Sequence, residues 1–178
     1  KAGAGIRILR QDPWETLVTF IVSQRKSIPA IRSVVETLSR RYGTEIQTPA
    51  ETLYTFPTAL QLKDVCLEDY MACKAGYRAS YLNQVLSGTL DLTGIAALPD
   101  TELIAALERV RGVGIKVANC VALFAYGRTA CAPVDTWIQK IIRRAYDGQE
   151  PFARYGSAAG IMQQYFFYYA QTHKLETA

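Results

Sequence analysis

Residues 28 to 43, IPAIRSVVETLSRRYG, place Ile31, Val34, Val35 and Leu38 on one side of a helical spiral and stop at Gly43. That spacing buries a single stripe of a helix. It suits no strand, whose side chains alternate every second residue. The same signature returns along the chain, each time between helix start and stop residues. QDPWETLVTFIVSQ has Asp12 as cap, Pro13 at the first helical position and Glu15 three residues after the cap. Pro57 opens a short helix near PTALQLK. GYRASYLNQVLSG is a helix bounded by Gly76 and Gly88, and LPDTELIAALERVRG runs from Asp100 to Gly112. IKVANCVALFAYG, PVDTWIQKIIRRAY and SAAGIMQQYFFYYAQTH complete the set. No stretch alternates apolar and polar residues with a turn signal beside it. The expectation is an all-α fold of about eight or nine short helices.

A chain of 178 residues can form one ordinary domain, or two small ones sharing a core. It carries no low-complexity linker and no internal repeat. No apolar run reaches the length of a membrane span, and the N-terminus has no signal-peptide pattern. The net charge of +4 permits a polyanionic partner without demanding one. Cys66, Cys73, Cys120 and Cys131 form no C-x-x-C pair, so neither a structural zinc site nor the usual iron–sulfur spacing is present. Scattered thiols of this kind suit a reducing cytosol. The single histidine, His173, argues against a His-based triad or a multi-His metal site. Any chemistry must rest on Lys, Asp or Cys. The opening KAGAG reads as the cut edge of a longer chain.

One stretch does not read as scaffold. VRGVGIKVANC, residues 110 to 120, sits in a helix, tight turn, helix pattern covering about 105–126. Gly112 and Gly114 can take backbone angles closed to other residues, and they let a phosphate approach the main chain. The N–H groups opening the second helix would face that phosphate. Lys116 falls in the first turn of that helix, where the positive end of the dipole disfavours an ammonium. A free lysine ionises near ~10.4 and is a poor nucleophile at neutral pH. Desolvation and the helix start both favour the neutral amine, so the position suits a nucleophile. Downstream, APVDTWIQK puts Asp135 at a helix N-cap directly after Pro133 and Val134. Taken singly, each feature has an ordinary reading. GVG can be a plain turn, Lys116 a solvated or phosphate-contacting lysine, and Asp135 a helix cap.

Taken together, the hairpin, Lys116 and the downstream Val134–Asp135 resemble the helix-hairpin-helix DNA glycosylases. Within them the GVG-x-K…VD pattern resembles the bifunctional members, which are glycosylases and abasic-site lyases. Lys116-Val-Ala-Asn-Cys120 resembles the 8-oxoguanine DNA glycosylases in particular. So do ILRQDPWETLVTFIVSQ at 8 to 24, GYRASYL at 76 to 82 and YGSAAGIMQQYFFYYA near the end. The similarity runs over essentially the whole chain, in order. It implies two packed helical subdomains spanning 1–178, with the active site in the cleft between them. Lys116 would attack the anomeric carbon, and Asp135 would stabilise the cationic sugar and help move protons. The base must leave the duplex stack for this to occur. The resemblance puts Phe167 against its face, Gln163 on its pairing edge and Cys120 on the opposite face. On helical spacing alone, Phe167 reads as core. Tyr77 matches the family's wedge, and Arg78 a residue facing the orphaned cytosine. A surface Tyr-Arg pair at a helix start is the plainer reading. The resemblance also implies a monovalent cation held by hairpin carbonyls rather than side chains, and no other cofactor.

There are departures from the family pattern. Arg25 stands where the eukaryotic-type family has asparagines that fill the gap left by the base. Ala30 replaces an arginine that reads the opposite cytosine, and Trp137 takes a place often held by histidine. This looks more like the bacterial branch, which implies a monomer acting on double-stranded DNA in the cytoplasm, at the nucleoid rather than in a nucleus. The family's N-terminal β-sheet subdomain, which senses the N7 hydrogen of 8-oxoguanine, is not in this sequence. Two other readings stay open. One is the same fold acting on a different damaged base. The other is a helix-hairpin-helix module that binds DNA without chemistry, or an inactive fragment.

Overall fold

In the computed structural model, residues 5–87 and 90–172 are described. Gly88, His173 and residues 1–4 lie outside them. The described residues hold nine α-helices: α1 (Pro13–Ser23), α2 (Ile28–Tyr42), α3 (Ala59–Leu62), α4 (Leu67–Ala72), α5 (Ala79–Ser87), α6 (Asp100–Glu108), α7 (Ile115–Phe124), α8 (Thr136–Ala145) and α9 (Ala159–Thr172). Short 3-10 turns at Gly76–Arg78, Gly94–Ala97 and Phe152–Ala158 join them.

The helices begin where local chemistry starts them. The Asp12 side chain accepts the Glu15 N–H at 2.9 Å, and Pro13 fills a position whose N–H would have no helical partner. The stripe on α2 turns inward as expected: Val34 and Leu38 are buried and Ile31 packs partly buried against them. Each such side chain contributes about 1.5–3 kcal/mol through apolar burial.

Several boundaries differ from the sequence reading. The helix after Pro57 begins at Ala59, because Thr58 and Gln61 form a reciprocal capping box that puts the N-cap on the residue after the proline. Gly76 opens a 3-10 turn before α5 rather than α5 itself. Helix α6 stops at Glu108, well short of Gly112. α4, at Leu67–Ala72, was not anticipated. Nor was a small antiparallel hairpin, β1 (Glu45–Gln47) with β2 (Thr52–Tyr54), in register Glu45 with Tyr54, Ile46 with Leu53 and Gln47 with Thr52. Three-residue strands are too short for alternation to register as a period.

The core falls into two clusters. The larger is built from α1, α2, α5, α6 and α7, around Leu17, Ile21, Leu38, Leu103, Leu107 and Val121. The smaller joins α8 to α9 through Ile138, Ile142, Phe152 and Ala159. α7 belongs to the first and α8 to the second, and only residues 125–135 connect them. The candidate residues on the two helices therefore meet where the two cores adjoin.

Candidate active site

The hairpin between α6 and α7 is shaped by Gly112. Its φ is +87°, in the left-handed region, and a Cβ there would stand 2.5 Å from the Tyr81 ring. Both facts exclude a side chain. Its carbonyl accepts a hydrogen bond from Gln24 Nε2 at 2.8 Å, tying the hairpin to the end of α1. The sequence pattern assigns both glycines one role, and the structure separates them. Gly114 has an extended backbone (φ −101°, ψ 178°), and a Cβ there would meet nothing within 4 Å. Its lack of a side chain leaves the main chain open from outside and relieves no backbone strain. Gly114 is the N-cap of α7 and supplies no capping side chain. The first turn of α7 therefore opens towards solvent beside the exposed Gly114 and Ile115.

Lys116 is the second residue of α7. Its Nζ lies 5.1 Å from the centroid of the Phe20 ring, and Phe20 stacks on Phe124 with centroids 5.7 Å apart. Cys120 is one turn on and only 3% exposed. Burial pushes its thiol up to about 11, against the pull of the neighbouring Lys116 and with a further push from the Asp135 carboxylate. Cys120 is therefore a neutral thiol at physiological pH, a packing surface rather than a thiolate nucleophile.

Asp135 caps α8. Its Oδ1 accepts the Ile138 N–H at 2.8 Å, and Ile138 is fully buried in the smaller core. The carboxylate is thereby fixed at the helix start, half-buried, and close enough to Cys120 to act on its thiol. The structure thus brings Lys116, Cys120 and Asp135 together from two helices on two cores. Trp137, just inside α8, is half-buried, with the Lys140 ammonium 5.3 Å from its ring centroid.

α9 approaches the same region at close range. Gly160 donates its N–H to Thr129 O at 2.8 Å, and a Cβ there would lie 2.3 Å from Cys131 O. That contact seats α9 against the loop leaving α7. Gln163 is buried, and its Oε1 accepts from Gln164 Nε2 at 2.6 Å. Phe167, one turn further, packs partly buried against the Ile138–Phe152 cluster.

Tyr77 is half exposed, with its ring edge-on to Tyr81. Arg78 differs from the picture of a residue facing outward. It is 5% exposed, its Nη1 donates to Ala75 O at 3.2 Å, and its guanidinium lies 4.3 Å from the Tyr77 ring centroid. Arg25 is exposed in the left-handed region at φ +49°, and Ala30 is half-buried on the first turn of α2. Two contributors were not singled out from the sequence: Phe20 beneath Lys116 and Gln24 on the hairpin carbonyl. They are four residues apart, Phe20 in the last turn of α1 and Gln24 at its C-cap, so both lie towards one side of that helix end. Nothing local says what that side meets.

No protein-family model matches the chain. Among curated proteins it is 28% identical to the probable N-glycosylase/DNA lyase of Methanothermobacter thermautotrophicus, over 94% of this chain and 64% of that protein. It is 33% identical to the N-glycosylase/DNA lyase of Saccharomyces cerevisiae, over 80% of this chain and 42% of that protein. Among solved structures it is similar to Clostridium acetobutylicum 8-oxoguanine glycosylase/lyase in complex with double-stranded DNA containing cytosine opposite to 8-oxoG. That match has a TM-score of 0.91 and 35% identity, and covers 97% of this chain and 64% of the other. The chain spans less than two thirds of the length of each of these relatives.

Proposed function

We propose, for a chain that belongs to the 8-oxoguanine glycosylase/lyase family of helix-hairpin-helix DNA glycosylases, that it excises 8-oxoguanine from double-stranded DNA and then nicks the abasic strand. The observation that carries the reading is the convergence of Lys116, Cys120 and Asp135 at the junction of the two cores.

The neutral amine of Lys116 forms a bond from Nζ to C1′ of the extruded nucleotide. The C1′–N9 bond breaks, and its electron pair leaves with the base, which takes up a proton. Asp135 faces the positive charge that develops on the sugar, and its position is set by the α8 N–H it accepts. Nζ then loses a proton, the C1′–O4′ bond breaks with its electron pair and a proton going to O4′, and the product is an iminium linking Lys116 to C1′. The iminium makes the 2′ hydrogen acidic. Its proton passes to solvent, the C–H pair forms the C2′–C3′ double bond, and the 3′ phosphate leaves with the C3′–O bonding pair, so the strand is cut 3′ to the lesion. Phe167 and Gln163 serve the base, with the thiol of Cys120 packing on its other face. Tyr77 enters the stack, Arg25 and Trp137 serve the surrounding DNA, and Arg78 joins them by turning outward as Tyr77 leaves its guanidinium. The first turn of α7 and Gly114 hold a backbone phosphate through main-chain N–H groups. A monovalent cation on the hairpin carbonyls belongs to the same proposal. So does a monomeric enzyme of the bacterial branch, working at the nucleoid. Among the described residues, no helix is long and apolar enough to cross a membrane.

Borohydride trapping tests this directly. A duplex with 8-oxoguanine opposite cytosine should yield a covalent protein–DNA adduct on a denaturing gel with the native chain and none with Lys116→Gln. An absent adduct, or one of normal yield in Lys116→Gln, would overturn the assignment.

A further inference from the structure

Lys116 carries positive charge on Nζ at two stages of the proposed reaction: on the nitrogen as its bond to C1′ forms, and on the iminium that follows. Asp135, with Oδ1 on the Ile138 N–H, faces the sugar in that reaction, and Cys120 is a neutral thiol. Beside the Cys120 thiol, which also reaches the amine, Nζ has the ring of Phe20 beneath it, with its centroid 5.1 Å away. An aromatic face within about 6 Å attracts a cation through its quadrupole.

We propose that Phe20 is a positioning residue for the nucleophile, its ring face holding Lys116 Nζ in place and favouring the cationic nitrogen of the covalent intermediate.

This inference rests on Lys116 being the nucleophile. Three observations make the ring a fixed platform. Phe20 stacks on Phe124 of α7, at 5.7 Å and 17° between planes, so it is braced by the helix that carries Lys116. It also packs partly buried against the larger core. One turn along α1, Gln24 Nε2 donates to Gly112 O at 2.8 Å. α1 therefore grips the hairpin through Gln24 and meets the lysine through Phe20, and the two contacts fix the register between ring and amine. Counted from the neutral amine with which the proposed reaction starts, the benefit falls on the nitrogen as it becomes charged and not on the leaving base. The effect should accordingly appear in formation of the covalent intermediate more than in DNA affinity.

Two measurements decide it. The first needs no activity: NMR of the free chain with labelled lysine. The Lys116 ε-methylene protons should lie upfield of the other lysines through the Phe20 ring current, and should return to ordinary positions in Phe20→Leu. Equal shifts in both proteins would overturn the proposal. The second replaces Phe20 with phenylalanines bearing one, two and three ring fluorines, which drain the quadrupole while keeping the shape. The single-turnover rate of borohydride-trappable intermediate should fall step by step with fluorination. Complete loss of the attraction is worth about 2- to 30-fold, the cation–π range expressed as a rate ratio. Affinity for an uncleavable duplex should stay constant. A flat rate across the series would show that Phe20 only packs. If the unmodified chain forms no adduct, the nucleophile assignment falls, and the NMR arm alone still judges the contact between ring and lysine.

Discussion

Asp135 caps α8 and, in the proposed reaction, also faces the sugar cation; three substitutions separate the two tasks. As an N-cap it satisfies Ile138 N–H at 2.8 Å. Replacing a capping side chain by alanine costs about 1 kcal/mol, within roughly 0.5–2. For a chain of this size that lowers Tm by about 2–4 °C. Asparagine and serine cap as well as aspartate does, so Asp135→Asn and Asp135→Ser should lose only the attraction of a carboxylate for the helix start, about 0.3–1 kcal/mol. Catalysis should divide differently. All three variants lack the carboxylate that faces the developing sugar cation, so all three should lose rate on the order of 10²- to 10³-fold, the scale of one preorganised electrostatic partner. The assays are a thermal melt, single-turnover base release, and affinity for a duplex containing an abasic analogue. Affinity should change little, because the interaction is made in the transition state. If the rate recovered in Asp135→Asn together with Tm, or if affinity fell in proportion to rate, Asp135 would be a structural cap and the catalytic reasoning would fail.

The two hairpin glycines should behave oppositely. Gly112→Ala should destabilise by about 1–3 kcal/mol in a denaturant melt, since it combines φ +87° with a Cβ 2.5 Å from the Tyr81 ring. Gly114→Ala should leave the melt almost unchanged but weaken binding to lesion and undamaged duplex by similar factors. Arg25→Asn should raise stability by about 1 kcal/mol in urea, because asparagine tolerates the left-handed backbone that arginine adopts here at φ +49°. Ala30→Arg should increase excision of 8-oxoguanine opposite cytosine relative to adenine, whereas the native chain should stand nearer parity in the same competition assay. The Cys120 thiol is raised to about 11 from an ordinary 9.0, so the unfolded chain loses this proton first as pH rises. The share of this thiol in stability should be complete below about pH 9 and fall by on the order of 2–3 kcal/mol through pH 11. Cys120→Ala should remove that share from pH-dependent melts, leaving the decline due to the other groups raised by burial, Cys131 at about 11 and Tyr126 at about 12 among them.

What the sequence determined by itself is short-range. Asp12 and Asp135 cap helices because a side-chain oxygen reaches an N–H three residues ahead, an interaction wholly contained in adjacent residues. The α2 stripe, the helix–turn–helix around GVG and the place of Lys116 in the first turn of α7 follow from the same local periodicity. Spacing fails where elements are very short, as in the Glu45–Tyr54 hairpin, or where a boundary depends on competition between neighbouring caps, as at Thr58. Only the tertiary structure decided which glycine is conformationally required, since the constraint on Gly112 comes partly from Tyr81 on another helix. It also decided that Arg78 folds inward beneath Tyr77 rather than outward. And it placed Phe20 under Lys116 and Gln24 on a carbonyl 88 residues away. A helix's pattern states which face will be buried. The partner that buries it is chosen by packing the whole chain, and at this site that choice gives the lysine its surroundings.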